Sequence, residues 1–189
     1  MGAWYTWQNA LSLALGAWAF GLFLIYDINS FRWRKTFPKI LFALGFAMLI
    51  AATALDIWSA IAMGAFSGAA DIVLTAIAAL FLGALVYCLF FALPFKETYA
   101  KDESGRKVCQ TGVYGITRHP GIPVFFGMYL FLGLALLPSG AIINGMVFSA
   151  LNFGYAVFQD NITFPQTFCD YGEYKKKVPF MIPNHVKEK

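Results

Sequence analysis

Apolar residues are concentrated in five long runs that are separated by short polar segments. The runs cover roughly residues 11–26, 40–63, 72–95, 120–137 and 141–158. Each run is close to the ~20 residues that a helix needs to cross the hydrocarbon core, and the last two are at the short end. Only Pro138, Ser139 and Gly140 separate the last two runs, which predicts a helical hairpin. The pattern therefore predicts an all-α polytopic membrane bundle of about five helices.

The composition favours a membrane protein over a soluble domain. Of the 189 residues, 59% are hydrophobic and 13% are charged, whereas soluble domains average about 25% charged residues. The length suits a single integral membrane domain over residues 1–189. The cysteines Cys88, Cys109 and Cys169 are scattered, and the chain has only two histidines, so we predict no metal site.

The basic residues predict the orientation of the chain. All 14 lysines and arginines lie in three segments: between helices one and two, between helices three and four, and in the tail. The positive-inside rule then places the N-terminus outside and the C-terminus in the cytoplasm. The net charge of +4 reflects this topology and contact with anionic membrane lipids. It does not indicate nucleic-acid binding, which would require a basic face on a soluble domain.

The two halves of the chain differ in character. Residues 1–95 read as scaffold helices, and Ala43, Ala47 and Ala51 repeat at a spacing that permits close helix approach in lipid. Asp56 and Asp71 flank the outer connection and are predicted to mark helix ends. Residues 96–183 hold the hairpin and an aromatic, basic tail, and the candidate chemistry is concentrated there.

A polar motif lies where the fourth helix is predicted to begin. Gly-Val-Tyr at 112–114 is followed by Arg118, His119 and Pro120. Because proline suits the first turn of a helix, Arg118 and His119 are expected directly before it, at the water boundary. Ionisable side chains near the membrane are costly and are functional candidates by default.

The tail after the fifth run interleaves aromatic and basic residues. Tyr171, Tyr174 and Phe180 alternate with the lysines at 175–177, as in an amphipathic segment that lies at the membrane surface. One interpretation of this tail is a membrane-surface anchor. The other is a lid that folds back over Arg118 and His119.

The motif, the hairpin and the tail together resemble the isoprenylcysteine carboxyl methyltransferase family and its relatives, including the phospholipid methyltransferases. The resemblance covers roughly residues 112–183 and rests on Arg118-His119-Pro120 and on the Tyr-x-x-Tyr-basic-Val-Pro pattern of the tail. It implies a small helical membrane enzyme that uses S-adenosylmethionine at the cytoplasmic face, under the C-terminal segment. It also implies a lipid-like or amphiphilic substrate that enters from the bilayer.

The resemblance assigns roles to individual residues. Arg118 would hold the cofactor carboxylate in a two-pronged contact, and His119 would bond the cofactor or take a proton. A tyrosine of the tail would cover the adenine or the sulfonium. The candidate catalytic residues are Arg118 and Asp160. The candidate cofactor-binding residues are Gly112, Val113, Tyr114, Arg118, His119, Pro120, Gln159, Tyr171 and Tyr174.

Some positions depart from the family pattern. Relatives usually carry two adjacent glutamates where this chain has Gln159 and Asp160, so one carboxylate is kept and one charge is lost. Ile122 and Val124 stand where relatives usually have Tyr and often Gly. Pro165 is expected to break a segment that is normally helical.

Two alternatives stay open beside the methyltransferase. The first alternative is a non-enzymatic or degenerate relative that binds lipid or protein partners. The second is a membrane reductase that uses NADPH, related to the sterol reductases. If the chain is a methyltransferase, the acceptor is a carboxylate, a thiol or an amine.

Overall fold

The computed structural model describes residues 4–33, 39–92 and 106–181, and every regular element in these ranges is helical. Three helices end in a wider π-helical turn, at Asn29–Trp33, Tyr87–Phe91 and Gln159–Thr163. The helices are α1 (Trp7–Ile28), α2 (Lys39–Ala62), α3 (Ala69–Val86), α4 (Val113–Ile116), α5 (Gly121–Ala135), α6 (Ala141–Phe158), α7 (Phe164–Thr167) and α8 (Tyr171–Lys177). The predicted all-α bundle is confirmed.

Four helical stretches in the described ranges are long and apolar enough to cross a membrane: Trp7–Trp33, Ile40–Ala62, Ala69–Phe91 and Ala141–Thr167. The helix predicted from the fourth run, α5, has only 15 residues. At 1.5 Å per residue it is about 22 Å long, which is less than the ~30 Å hydrocarbon core. The prediction of about five spans therefore becomes four full-length spans and one shorter apolar helix.

Pro165 does not break the helix, contrary to the prediction. The π-helical turn Gln159–Thr163 precedes it, and Pro165 lies at the start of α7, where a missing N–H is tolerated. The Nζ of Lys175 lies 3.4 Å from the carbonyl oxygen of Asp160 and provides that oxygen with a donor from outside the helix. The helical run from Ala141 therefore continues to Thr167.

The central helices of the bundle are α1 and α6. Helix α1 packs against α2 and α6, while α5 packs between α3 and α6. Most of the core between them is built from small and aromatic side chains. Its buried members are Ala19, Phe20, Phe23, Ala52, Phe125, Met128, Tyr129 and Phe148.

The two aspartates predicted to mark helix ends have different outcomes. Asp71 lies in the first turn of α3 and accepts a hydrogen bond from the Gly68 N–H at 3.0 Å, as a helix-end residue would. Asp56 instead lies inside α2 and is buried. It accepts hydrogen bonds from α1 and α6, because Asn9 and Asn144 face it across the bundle.

Helix α1 packs tightly against α6 at Gly16. The fully buried ring of Phe148 fills the space that a side chain at residue 16 would need. We therefore expect Gly16→Ala to lower the Tm of the detergent-solubilised protein by about 4 to 8 °C, because overpacking forces the two helices apart.

Gly21→Ala is the matched control for this variant. Gly21 lies on the same helix, and an added Cβ there would meet nothing within 4 Å. Its Tm is expected to stay at the wild-type value. Equal melting temperatures for the two variants would contradict the proposed close contact.

Candidate functional site

The Arg118-His119 pair is positioned by the short connection between α4 and α5. Gly112 precedes α4 with a φ of 59° and a ψ of −137°, a backbone conformation that favours glycine. Thr117 then returns to an extended conformation, and Pro120 is the N-cap of α5. Arg118 and His119 therefore lie directly before a helix, as the sequence indicates.

Four side chains converge on the carboxylate of Asp160, which lies in the π-helical turn after α6 and is buried. Arg118 Nε lies 3.0 Å from Oδ1, and Lys175 Nζ lies 2.7 Å from Oδ2. The Tyr171 hydroxyl donates to Oδ1 at 2.6 Å, and His119 Nε2 lies 3.3 Å from the same atom. These five residues are called the Asp160 cluster below.

The Arg118 guanidinium donates hydrogen bonds from its two terminal nitrogens but not from Nε. Its Nη1 donates to the Lys175 carbonyl at 2.8 Å, and Nη2 donates to Asp160 Oδ2 at 3.4 Å. Its Nε–H is buried and does not point at an acceptor, so the 3.0 Å contact to Asp160 is ionic rather than a hydrogen bond. The side chain of Arg118 is 8% exposed, so it holds an unused donor away from water.

His119 is neutral at pH 7. Burial lowers its pKa to about 4, although the Asp160 carboxylate opposes the shift. Its ring stacks on Phe164 at a centroid distance of 5.8 Å and packs against Phe180 at 4.7 Å. With a carboxylate facing Nε2, the neutral ring donates from Nε2 and leaves Nδ1 able to accept a hydrogen bond.

The Asp160 cluster carries an excess of positive charge. Arg118 and Lys175 are both cationic, Asp160 is the one carboxylate that they share, and His119 is neutral. The Lys175 side chain is 39% exposed, so one edge of the cluster is in contact with water. A buried, partly wet site with one positive charge in excess favours an anionic ligand.

Helix α8 is anchored by its two tyrosines, both of which are buried. Burial raises the pKa of Tyr171, and its hydrogen bond to Asp160 raises it further. The Tyr174 hydroxyl donates to the Tyr114 carbonyl at 2.6 Å, and the Tyr114 hydroxyl donates to the Cys88 carbonyl at 2.9 Å. These bonds connect α8 through α4 to the end of α3.

The segment after α8, residues 178–181, folds back over the Arg118-His119 pair and is called the tail strap below. The Arg118 N–H donates to the Pro179 carbonyl at 2.9 Å, and the His119 N–H donates to the Phe180 carbonyl at 3.1 Å. The Thr117 hydroxyl donates to the same Phe180 carbonyl at 2.9 Å. The arrangement agrees with a lid over the pair.

The predicted site residues are only partly brought together. Arg118, His119, Asp160 and Tyr171 join one cluster, while Tyr174 bonds to the backbone of α4. Gly112, Val113 and Pro120 shape the connection that presents the pair. Gln159 faces a different partner, because its amide donates to the buried carboxylate of Asp27 on α1 at 2.9 Å.

Three contributors were missed in the sequence. Lys175 lies one turn after Tyr171 on α8, and this i, i+4 spacing was the available signal. Asp170 accepts hydrogen bonds from the Val108 N–H and from Gln110 Nε2, which ties the segment before α4 to the start of α8. Nothing in the sequence pairs Asp27 with Gln159, since the two residues lie at the ends of different helices.

Removing the shared carboxylate tests the cluster. Asp160→Asn leaves Arg118 and Lys175 without their anionic partner, and breaking a buried ion pair costs about 3 kcal/mol or more. We expect the Tm in detergent to fall by about 5 to 10 °C. Glu173→Gln is the control, because Glu173 pairs with Lys176 on the exposed face of the same helix α8. A control loss as large as that of Asp160→Asn would contradict the role of Asp160.

The lowered pKa of His119 predicts acid sensitivity. Between pH 6.5 and about 4 the unfolded chain binds a proton at His119 that the folded chain does not. The free energy of unfolding therefore decreases as the pH falls through this window, by up to about 3 kcal/mol from this residue. Melting curves of the wild type and of His119→Gln from pH 7 to pH 4 should diverge, with the variant losing less. Parallel curves would show that His119 is not buried in its neutral form.

Comparison of the chain with protein-family models, with curated proteins and with solved structures finds no match. The function therefore has to be inferred from the residues of the Asp160 cluster and their surroundings.

Proposed function

We propose that this chain is an S-adenosylmethionine-dependent methyltransferase that acts on a membrane-embedded or amphiphilic acceptor at the cytoplasmic face. The observation that carries the proposal is the Asp160 cluster, which has two cations and one carboxylate at the end of a membrane helix. The family resemblance of residues 112–183 supports the same reading. When bound, the cofactor supplies a methyl group on a positively charged sulfur.

Arg118 is suited to hold the cofactor carboxylate. It has a buried Nε–H without an acceptor, and its guanidinium offers the forked geometry that a carboxylate matches. Lys175 adds a second positive charge at the exposed edge of the cluster. Asp160 in turn is suited to accept hydrogen bonds from an ammonium group, so the cluster matches both charges of an amino-acid moiety.

The aromatic residues around the cluster provide the dry surface that methyl transfer requires. Phe180 of the tail strap and Phe164 of α7 both pack against the ring of His119. Phe180 also lies 5.9 Å from the Arg118 guanidinium, measured from Cζ to the ring centroid. Such walls exclude water and hold the reacting groups in line, and neither effect involves a metal ion.

The proposed location at the cytoplasmic face follows from charge. The cluster draws on the connection before α5 and on the tail, and both belong to the basic segments that the positive-inside rule places inside. The N-terminus would then lie outside. Acceptors would approach from the lipid that surrounds the apolar helices, and carboxylate, thiol and amine acceptors all stay open.

A non-enzymatic relative is the second candidate, and one observation favours it. The members of the Asp160 cluster already satisfy most of one another's bonding capacity, as a purely structural cluster would. On this alternative the protein binds lipid or protein partners and has no turnover.

Calorimetric titration of the detergent-purified protein with S-adenosylmethionine tests the proposal. The wild type is expected to bind, and Arg118→Ala is expected to lose about 10- to 100-fold in affinity, since hydrogen bonds to charged groups are worth about 1.5–3 kcal/mol. Lys177→Ala is the matched control, because it removes one exposed positive charge from α8 outside the cluster. Equal affinity in wild type and Arg118→Ala would contradict the assignment.

Two further experiments, a methyl-transfer assay and a titration, separate the alternatives. Incubation with methyl-labelled cofactor and a membrane lipid extract should transfer label to a lipid-soluble product, whereas binding without transfer favours the non-enzymatic relative. Titration with NADPH should give no heat. NADPH binding that excludes S-adenosylmethionine would instead favour the reductase.

A further inference from the structure

A second polar cluster lies at the opposite end of α6 from Asp160. Asn144 is in the first turn of α6, and Asp160 follows its last turn, so about 24 Å of helix separates them. Asn144 meets Asp56 of α2 and Asn9 of α1 there. All three side chains are at most 3% exposed, although they lie among helices that span the membrane.

The two carboxyl oxygens of Asp56 have different partners. Oδ1 accepts two hydrogen bonds, from the amide groups of Asn9 and Asn144, each at 2.8 Å. Within the described residues, Oδ2 has one hydrogen-bonding neighbour, the hydroxyl oxygen of Ser12 at 2.7 Å. The carboxyl group thus joins α1, α2 and α6.

Counting protons at Ser12 shows what this arrangement requires. The Ser12 hydroxyl oxygen also lies 2.8 Å from the Ala52 carbonyl oxygen, which can only accept. A serine hydroxyl has a single proton, so it cannot serve both the Ala52 carbonyl and an ionised Asp56 at these short distances. If Asp56 carries a proton on Oδ2, it donates to Ser12 and Ser12 donates to Ala52. Every contact then has one proton.

The amide groups fit the same assignment. The two amide protons of Asn144 go to the Asn9 carbonyl and to Asp56 Oδ1, and its own oxygen accepts from the Tyr5 hydroxyl at 3.0 Å. Oδ1 of Asp56 is therefore surrounded by donors only, as the carbonyl oxygen of a neutral carboxylic acid can be.

The surroundings of Asp56 offer no compensating positive charge in the described part of the chain. The titratable groups that face it from neighbouring elements are Tyr5, before α1, and Tyr129, on α5. Neither becomes a cation. An ionised carboxylate buried among helices without a cation costs several kcal/mol, whereas a neutral acid with complete hydrogen bonds avoids most of that cost.

We infer that Asp56 is a proton-binding site, a neutral carboxylic acid whose proton links α2 to α1 through Ser12. Loss of this proton places an uncompensated charge between three helices and leaves the Ser12–Ala52 or the Ser12–Asp56 contact without a hydrogen. A bound proton consequently joins α1 and α2 at this end of the bundle. This inference does not depend on the proposed methyltransferase activity.

Infrared difference spectroscopy between the wild type and Asp56→Asn tests the inference directly. At pH 7 the wild type should show the carbonyl stretching band of a protonated carboxylic acid, and the band should be missing in the variant. The band should shift in D₂O, because the acid proton exchanges. If the difference between the wild-type and Asp56→Asn spectra contains only carboxylate bands, the inference is overturned.

Ser12→Ala provides a second test that keeps Asp56 in place. Removing the hydroxyl takes away the acceptor of the acid proton, so the band should persist and move to higher frequency. An unchanged band position would show that Asp56 does not donate to Ser12.

Asp56→Asn should also keep the wild-type Tm within about 2 °C at pH 7, because its amide can donate to Ser12 as the acid does. The Asp56→Ala variant, which has no group that can donate to Ser12, is the comparison. If Asp56→Asn lowers the Tm by more than about 2 °C and Asp56→Ala is at least as stable as Asp56→Asn, the proposed hydrogen bond from Asp56 to Ser12 is wrong.

Discussion

The half of the molecule that contains α8 and the tail strap depends on the carboxylate of Asp160. This carboxylate receives Arg118 and His119 from the connection before α5 and Tyr171 and Lys175 from α8, while its own backbone belongs to the end of α6. The connection before α5, the end of α6 and α8 are thereby held at one point. Since two cations share one carboxylate, the same contact that stabilises the fold leaves a positive charge available for a ligand.

The buried carboxyl groups near the two ends of α6, Asp160 and Asp56, are both satisfied by protein groups, but Asp160 is held by ion pairs and Asp56 by neutral hydrogen bonds. In an apolar bundle each buried polar group has to be satisfied by the protein itself. At the Asp160 end Lys175 is partly exposed, so full charges are tolerated there. At the other end Asp56 is enclosed by Asn9, Ser12 and Asn144, and neutral hydrogen bonds replace ion pairs. The two carboxyl groups are equally buried, so the partners around each one, cations for Asp160 and neutral groups for Asp56, decide its chemistry.

The sequence predicts the helices well because apolar run length is a local property. It also places Arg118 and His119 correctly before a helix, since Pro120 marks the boundary. It does not predict that Asp56 lies inside the bundle, because an aspartate in an apolar run reads equally as a helix end. Partners such as Asp27 and Gln159 depend on how two helices are rotated about their axes, which hydrophobic periodicity leaves undetermined when all faces are apolar.

Ultraviolet cross-linking of labelled S-adenosylmethionine to the detergent-purified protein, followed by peptide mapping, tests the central claim most directly. The account predicts label on peptides from residues 112–118 or 171–175, and an excess of unlabelled cofactor should remove it. These two segments are distant in sequence and meet in the fold around Asp160 and Tyr114. Label confined to α1, α2 or α3 would contradict the assignment of the Asp160 cluster as the cofactor site. The absence of label on a protein that melts cooperatively, and is therefore folded, would contradict it as well.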